Sequence, residues 1–196
     1  MPGAQSRPGD QSRPGDQSRP AVPVLRPARR ADITAIVALL ADDPLGASRE
    51  IAGADPGPYQ RAFDAVEADP RNLLVVADIG GQIAGTLQLT FIPGLSYVGG
   101  ERAQIEAVRV GRQWRGRGLG GQMLGWAIDQ ARARGCRLVQ LTTNLQRPDA
   151  LRFYRSLGFT ASHAGLKLDL GGRQEPPASG AADSGAVPLP TPTASQ

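Results

Sequence analysis

The chain has 196 residues, 40% of them hydrophobic and 20% charged, enough for one globular domain with a sizeable core and some chain left over. Its formal charge of +4 raises nucleic acid as a partner, yet only Arg109, Arg112, Arg115 and Arg117 crowd together, and the chain's arginines do not alternate with a series of stacking aromatics. That pattern reads as a small anion site and not as a nucleic-acid groove. A single cysteine, Cys136, excludes an intramolecular disulfide, and with His163 as the one histidine no metal site is expected. No stretch is long and apolar enough to span a membrane, and the N-terminus lacks the apolar run of a signal peptide. The sequence therefore predicts a cytoplasmic protein with no membrane partner.

Both ends lack the apolar content of a fold. Residues 1–20 repeat Gln-Ser-Arg-Pro-Gly-Asp, and residues 171–196 are rich in Pro, Gly, Ser, Ala and Thr. Neither offsets the entropy of ordering a chain, so a folding unit over residues 21–170 is expected between two disordered tails.

Val22 and Val24 open a first strand. Asp32 stands as the N-cap of a helix in which Ile33, Ile36, Val37 and Leu40 recur at helical spacing. Residues 41–58 are turn-rich and acidic, read as loop or broken helix, and a second helix follows with Tyr59, Phe63 and Val66 on one face. Leu73-Leu74-Val75-Val76-Ala77 reads as a buried strand, Gly80-Gly81 as a turn, and residues 82–91 alternate with Ile83, Gly85, Leu87, Leu89 and Phe91 inward. After a loop around Tyr97, residues 103–110 form a further strand, with Ile105, Ala107 and Arg109 on one side and Glu106, Val108 and Val110 on the other. From Leu119 the period turns helical, with Met123, Ala127 and Ala131 on one stripe up to Gly135, placed as a terminator with positive φ. Residues 136–143 read as a strand, Arg147-Pro148-Asp149 opens a short helix closed by Gly158, and residues 159–162 and 166–170 are terminal strand material. The order β-α-α-β-β-β-α-β-α-β predicts an α/β protein with a mixed, mostly antiparallel central sheet flanked by helices.

Strand, glycine-rich turn and helix in direct succession carry the chemistry. A helix start exposes unpaired N–H groups, and Gly116, Gly118 and Gly120 let phosphate oxygens reach them. Arg115 and Arg117 stand at the rim, either as phosphate contacts or as solvated charges. The Gly-Lys-Ser/Thr ending of a Walker-type loop is absent, and the glycine spacing differs from a dinucleotide fingerprint. A tight turn without a ligand is the remaining alternative.

Arg115-Gly116-Arg117-Gly118-Leu119-Gly120 matches in full the cofactor motif Gln/Arg-x-x-Gly-x-Gly/Ala. Asn144, followed by Phe153-Tyr154-Arg155-Ser156-Leu157-Gly158-Phe159, matches a second motif at the right separation. In these two features the chain resembles the GNAT N-acetyltransferase superfamily, over residues 24–170. The resemblance implies the acyl-CoA N-acyltransferase fold, acetyl-CoA as cofactor, and transfer of its acetyl group to a primary amine of a small molecule or peptide by direct attack in a ternary complex. It implies an opening between the fourth and fifth strands that takes the pantetheine arm, contacted by the stretch Val108, Arg109 and Val110, with the diphosphate on residues 115–120. One amide near Val108 would polarise the thioester carbonyl.

Side-chain roles follow from the same resemblance. Glu106 is the candidate base, raised in pKa by burial, against the alternatives of an outward strand residue or an ion-pair partner of Arg109. Tyr154 is the candidate acid at the cofactor sulfur, against an ordinary half-buried aromatic. Asn144 bonds pantetheine amides or holds a water, against a simple turn role. The acceptor site is expected from residues 40–59, the loop 91–102 with Tyr97, and the region after Phe159, where His163 either lines the pocket or is exposed. Asp42, Asp43, Glu50 and Asp55 would favour a cationic amine. Rival readings are a transferase using a longer acyl chain or an oxygen acceptor, and a non-catalytic acyl-CoA-binding sensor or regulator. Many such folds form homodimers, and the sequence locates no interface.

Overall fold

The computed structural model describes residues 22–42, 55–144, 147–168 and 170. In chain order the elements are β1 (Val24–Pro27), a 3-10 turn (Arg30–Asp32), α1 (Ile33–Ala41), α2 (Gly57–Ala68), β2 (Asn72–Ile79), β3 (Gln82–Ile92), a single turn (Ser96–Gly99), β4 (Arg102–Val110), a second 3-10 turn (Arg112–Trp114), α3 (Leu119–Ala133), β5 (Leu138–Leu141) and α4 (Pro148–Ser156). The strands lie in the order β1-β2-β3-β4-β5. The first three pairings are antiparallel and β4 with β5 is parallel, joined by α3 as the crossover that a parallel pair requires. This is the mixed, mostly antiparallel sheet flanked by helices that the element order predicts.

The predicted apolar stripe of α3 is the main support of the sheet. Leu119, Met123, Leu124, Ala127 and Ala131 are buried against Leu87, Leu89, Phe91, Ala103 and Ile105. The opposite face is covered by α1 and α2, which bury Ile33, Ile36 and Phe63. Because β3 is covered on both faces, its polar alternate residues are covered too: Thr86, on the face of α1 and α2, is fully buried and satisfied by donating to the Val75 carbonyl at 3.0 Å. Helix α3 ends as its sequence indicates: Gly135 has φ +78°, and the N–H groups of Gly135 and Cys136 return to the Arg132 and Ala131 carbonyls at 2.9 Å each, the paired bonds of a Schellman motif.

Four expectations are corrected. Residues 159–168 contain no strand, and Leu166 and Leu168, whose alternation suggested one, are 94% and 85% exposed. Alternation marks a strand only where a partner and a core receive it. From Ser162 onward the chain forms a separate unit from the one ending at Ala161, and its described residues carry no regular secondary structure. β5 is shorter than expected. Asp32 does not cap α1 with its side chain; its carboxylate accepts the Arg29 N–H at 2.7 Å and two bonds from the Arg26 guanidinium, at 2.7 and 3.1 Å. The fourth correction, the faces of β4, belongs to the site. Of the acidic segment, residues 43–54 lie outside the described residues.

Arg26 also reaches Asp78 at 3.0 and 3.1 Å, so one guanidinium ties β1, the start of α1 and β2. Arg26 holds the Asp32 carboxyl below the ordinary carboxylate range, aided by the Arg29 N–H and opposed by burial. A depressed folded pKa stabilises the fold above the unfolded value and loses that contribution as pH falls through the folded one. Asp32→Asn should therefore cost about 2 kcal/mol in urea unfolding at pH 7, and the gap from the parent should close as pH falls below about 4; a gap independent of pH would show that the carboxylate charge is not what matters.

Candidate active site

β4 cannot stay paired on both edges. Its parallel pairing with β5 ends at Ile105↔Leu141, whereas its antiparallel pairing with β3 runs on to Gly85↔Val110. Between Gln88↔Glu106 and Thr86↔Arg109, the two residues Ala107 and Val108 oppose Leu87 alone, which is a β-bulge. Ala107 takes it up with φ +52°, a left-handed conformation that costs an alanine roughly 1 kcal/mol. The bulge shifts the alternation by one residue and corrects the expected faces. Val108 and Val110 pack with Ile105 on the core face of α3; Glu106 pairs with Gln88, and Ala107 lies with Gln88 and Thr86 on the face of α1 and α2.

The bulge also sets where the backbone points. Gly111 N–H bonds to the Ala84 carbonyl at 2.9 Å, so by alternation Val110 and Val108 turn their peptide groups away from β3, toward the edge that β5 has left. Their carbonyls are occupied by side chains: Arg115 Nε donates to Val110 O at 2.9 Å, and Arg109 Nη1 to Val108 O at 2.9 Å.

Beyond β4 the chain makes the second 3-10 turn and then the glycine loop. Gly116 and Gly118 have φ +73° and +79°, and a Cβ on either would meet nothing within 4 Å. The requirement for glycine there is conformational, and the loop faces open space. The first bond within α3 is Gln122 N–H to Gly118 O at 3.1 Å, leaving the amides of Leu119, Gly120 and Gly121 without an intrahelical partner. At Gly120 a side chain would instead approach Phe153, whose Cζ lies 3.4 Å from the Cβ position. A cavity of about 330 Å³ opens here, lined by Val110, Trp114, Arg115, the loop glycines, Leu119 and Phe153.

The rim arginines do different work from one another. Arg115 is clamped by Asp42 at the end of α1, with Nη2 3.0 Å from Oδ2 and 3.1 Å from the Asp42 carbonyl, and Arg112 Nη2 is 3.2 Å from Oδ1. Arg117 lies over the Trp114 ring at 5.5 Å. Asp42, one of the acidic residues expected to attract a cationic amine, is thus engaged by two arginines, and Asp55 accepts the Gly57 N–H at 2.9 Å.

Tyr154 is held by the way α4 ends. Gly158 has φ +90°, Gly158 N–H returns to Arg155 O at 3.0 Å and Phe159 N–H to Tyr154 O at 3.2 Å. That Schellman closure brings Phe159 edge-on to Tyr154, at 6.1 Å between ring centroids, while Phe153 is tilted against it at 5.4 Å. Burial pushes the Tyr154 phenol up from its ordinary pKa, opposed by the charges of Arg109 and Arg147. The two charges act on the phenol from different elements, Arg109 from β4 and Arg147 from the residue before α4.

Other predicted site residues fall elsewhere. Glu106 sits at the last position before the bulge but is exposed, so the expected burial is not found. Asn144 lies three residues past β5, its carbonyl accepting the Arg147 N–H at 3.0 Å. Tyr97 is not brought to the cleft. It stands, 60% exposed and with φ +55°, in the Ser96–Gly99 turn before β4, and the six-residue rise from Arg102 to Val108 is roughly 20 Å. His163 belongs to the terminal unit, exposed, with Nδ1 2.9 Å from Ser162 Oγ. Among the described residues no group of His, Cys, Asp and Glu could hold a metal ion, and no helix is long and apolar enough to cross a membrane. Two contributors were not anticipated: Phe153, legible only as the residue before Tyr154, and Asp42, whose link to Arg115 spans 73 residues and leaves no local signal.

Comparison with known proteins agrees with this geometry. The model of the acetyltransferase (GNAT) family matches residues 34–159. The aminoalkylphosphonate N-acetyltransferase of Salmonella typhimurium is 32% identical over 108 residues, 54% of this chain and 68% of that protein. A glucosamine 6-phosphate N-acetyltransferase of Trypanosoma brucei brucei is 33% identical over 90 residues, 46% of this chain and 59% of that protein. Among solved structures, a transcriptional regulator from Bacillus halodurans C-125 is 50% identical, with a TM-score of 0.74 over 76% of this chain and 99% of that one. The chain belongs to the acetyltransferase (GNAT) family.

The clamp on the loop is testable without any ligand. A double-mutant cycle with Asp42→Asn and Arg115→Gln should give a coupling of about 0.5 kcal/mol at low ionic strength, shrinking with added salt. Additive single effects at low salt would show that the pair does not hold.

Proposed function

We propose that this protein is an acetyl-CoA-dependent N-acetyltransferase that acetylates a primary amine by direct attack in a ternary complex. The observation that carries the reading is the meeting, at one end of β4, of a strand edge abandoned by β5, an α3 N-terminus whose first amides have no intrahelical partner, and a half-buried phenol. Acetyl-CoA supplies the activated acyl carbon. The amides of Leu119, Gly120 and Gly121, with the open backbone at Gly116 and Gly118, suit a diphosphate. The Val108 and Val110 amides suit the pantetheine arm, and the amide near Val108 the thioester carbonyl. Arg115 contributes by fixing the loop through Val110 and Asp42, and Arg117 and Asn144 flank the bound cofactor.

Tyr154, whose pKa burial raises, keeps its proton through the physiological range and gives it to the departing thiolate. Arg109, beside Val108, adds positive charge near that developing anion. Glu106, on the opposite face of the bulge, takes the proton of the attacking amine directly or through a water. Two relatives are named for an aminoalkylphosphonate and for glucosamine 6-phosphate, both amines, which supports an amine acceptor here. A second reading, an acyl-CoA-binding regulator without turnover, is favoured by the 50% identity to a protein described as a transcriptional regulator. Cytoplasmic location and homodimer formation belong to the same proposal.

Gly118→Glu puts a carboxylate where phosphate is expected, whereas Gly118→Ala carries the same backbone cost without the charge. Calorimetric titration should show acetyl-CoA binding lost in the first and largely kept in the second; equal affinities would remove the loop as the phosphate site. Tyr154→Phe should lower kcat by about 100-fold with little change in acetyl-CoA affinity. Unchanged turnover would exclude the phenol as the acid, and binding without turnover in the parent protein would favour the regulator.

A further inference from the structure

A second concavity lies on the other face of the sheet, between α1 and α2, with a volume of about 140 Å³. Its walls include Ile36, Val37 and Leu40 from α1 and Phe63 and Val66 from α2, over a floor of Leu74, Thr86, Gln88 and Ala107. Among the described residues no charged side chain lines it. The polar floor groups are engaged with neighbours: Thr86 donates to Val75 O at 3.0 Å, and Gln88 Nε2 lies 3.3 Å from Asn72 Oδ1 and 3.4 Å from Thr90 Oγ1. A solute entering between the helices thus meets mainly apolar surface. The volume is close to the roughly 150 Å³ of an apolar cavity that accepts a benzene ring.

The floor of the groove reaches the bulge of β4, next to the candidate reacting centre. Ala107, on its floor, is the residue that makes the bulge and precedes Val108. Gln88, also on the floor, is the cross-strand partner of Glu106, and such partners stand about 5 Å apart. A group seated over Gln88 and Ala107 therefore lies one short linker from the Glu106 carboxylate, on the face of β4 opposite the cavity at the glycine loop.

Resting on the acetyltransferase reading, we propose that this groove is the acceptor pocket for the apolar body of a primary amine, so that the preferred substrates carry one aryl ring or a branched alkyl group two or three atoms from the nitrogen. The amine enters the attack as the neutral base, its ammonium proton having been lost to solvent; the nitrogen forms its bond to the acetyl carbon, the N–H proton made acidic by that bond passes to Glu106, and as the carbon–sulfur bond breaks the thiolate takes a proton from Tyr154, which solvent restores as Glu106 releases its own. Burial of the ring or branched chain gives selectivity over polar amines of roughly 10- to 100-fold in kcat/KM.

The test uses the full chain and thiol release from acetyl-CoA with 2-phenylethylamine and 3-methylbutylamine, compared with methylamine, spermidine, glucosamine and 2-aminoethylphosphonate. The two apolar amines should lead, and Val37→Phe or Val66→Phe, which fill the groove, should reduce kcat/KM for 2-phenylethylamine at least tenfold more than for methylamine. In parallel, NMR of methyl groups should show Ile36, Val37 and Leu74 shifting when 2-phenylethylamine is added to the protein with coenzyme A. Failure to bind acetyl-CoA would overturn the enzyme reading itself. Acetyl-CoA binding with equal or better use of the polar amines, or with unmoved groove methyls, would overturn the acceptor pocket alone and leave the groove as packing space.

Discussion

The whole site hangs on the inability of β4 to keep two partners. Up to Ile105 it is paired on both sides, and beyond the bulge at Ala107 it is held by β3 alone. That single change frees the edge on which Val108 and Val110 turn their peptide groups, and it moves Glu106 and Val108 to opposite faces of the sheet. It also leaves β4 anchored at its far end, through Gly111 to Ala84, so that the glycine loop starts from a fixed point. The left-handed Ala107 is a local cost, tolerated because the sheet on one side and α3 on the other over-determine the strand.

The loop itself is organised by the contacts of its own arginines. Arg115 is turned inward to a backbone carbonyl and to Asp42, and Arg117 lies on Trp114. In the proposed reaction, recognition of the diphosphate then falls largely to backbone amides, which need no rearrangement when the ligand arrives. The clamp couples the end of α1, which walls the apolar groove, to the start of the glycine loop. The two faces of β4 are thereby linked through a pair of side chains as well as through the strand.

Much of this was legible in the sequence, and the reasons for the rest are physical. The stripe of α3, the hairpin of β2 and β3, and the terminators Gly135 and Gly158 are local patterns in which a few neighbouring residues decide the outcome. The aromatic-Tyr-x-x-x-Gly-Phe run is a helix-ending device, and its geometry explains why Phe159 accompanies Tyr154. The bulge was not legible, because an alanine in a left-handed conformation is imposed by tertiary pairing and leaves no composition signal. Strict alternation therefore put Val108 and Val110 on the wrong side. Asp42 differs for a related reason: an acidic residue in a loop reads as free to attract a cationic amine until its partners Arg112 and Arg115, distant in sequence, are brought beside it. The sequence offers Tyr97 as an apolar contact on the acceptor loop, but the direction of β4 carries that loop to the end of the strand away from the bulge.

The most direct test of the central claim is a titration of the 15N-labelled protein with coenzyme A, following backbone amides by NMR. Release of the β4 edge predicts that Val108, Val110 and Leu119 to Gly121 shift first and most, with Gly116 and Gly118 beside them and Leu73 to Ala77 in β2 little changed. Saturable binding that leaves Val108 and Val110 unmoved would contradict the account, since the edge opened by the bulge would then not be where the ligand lies.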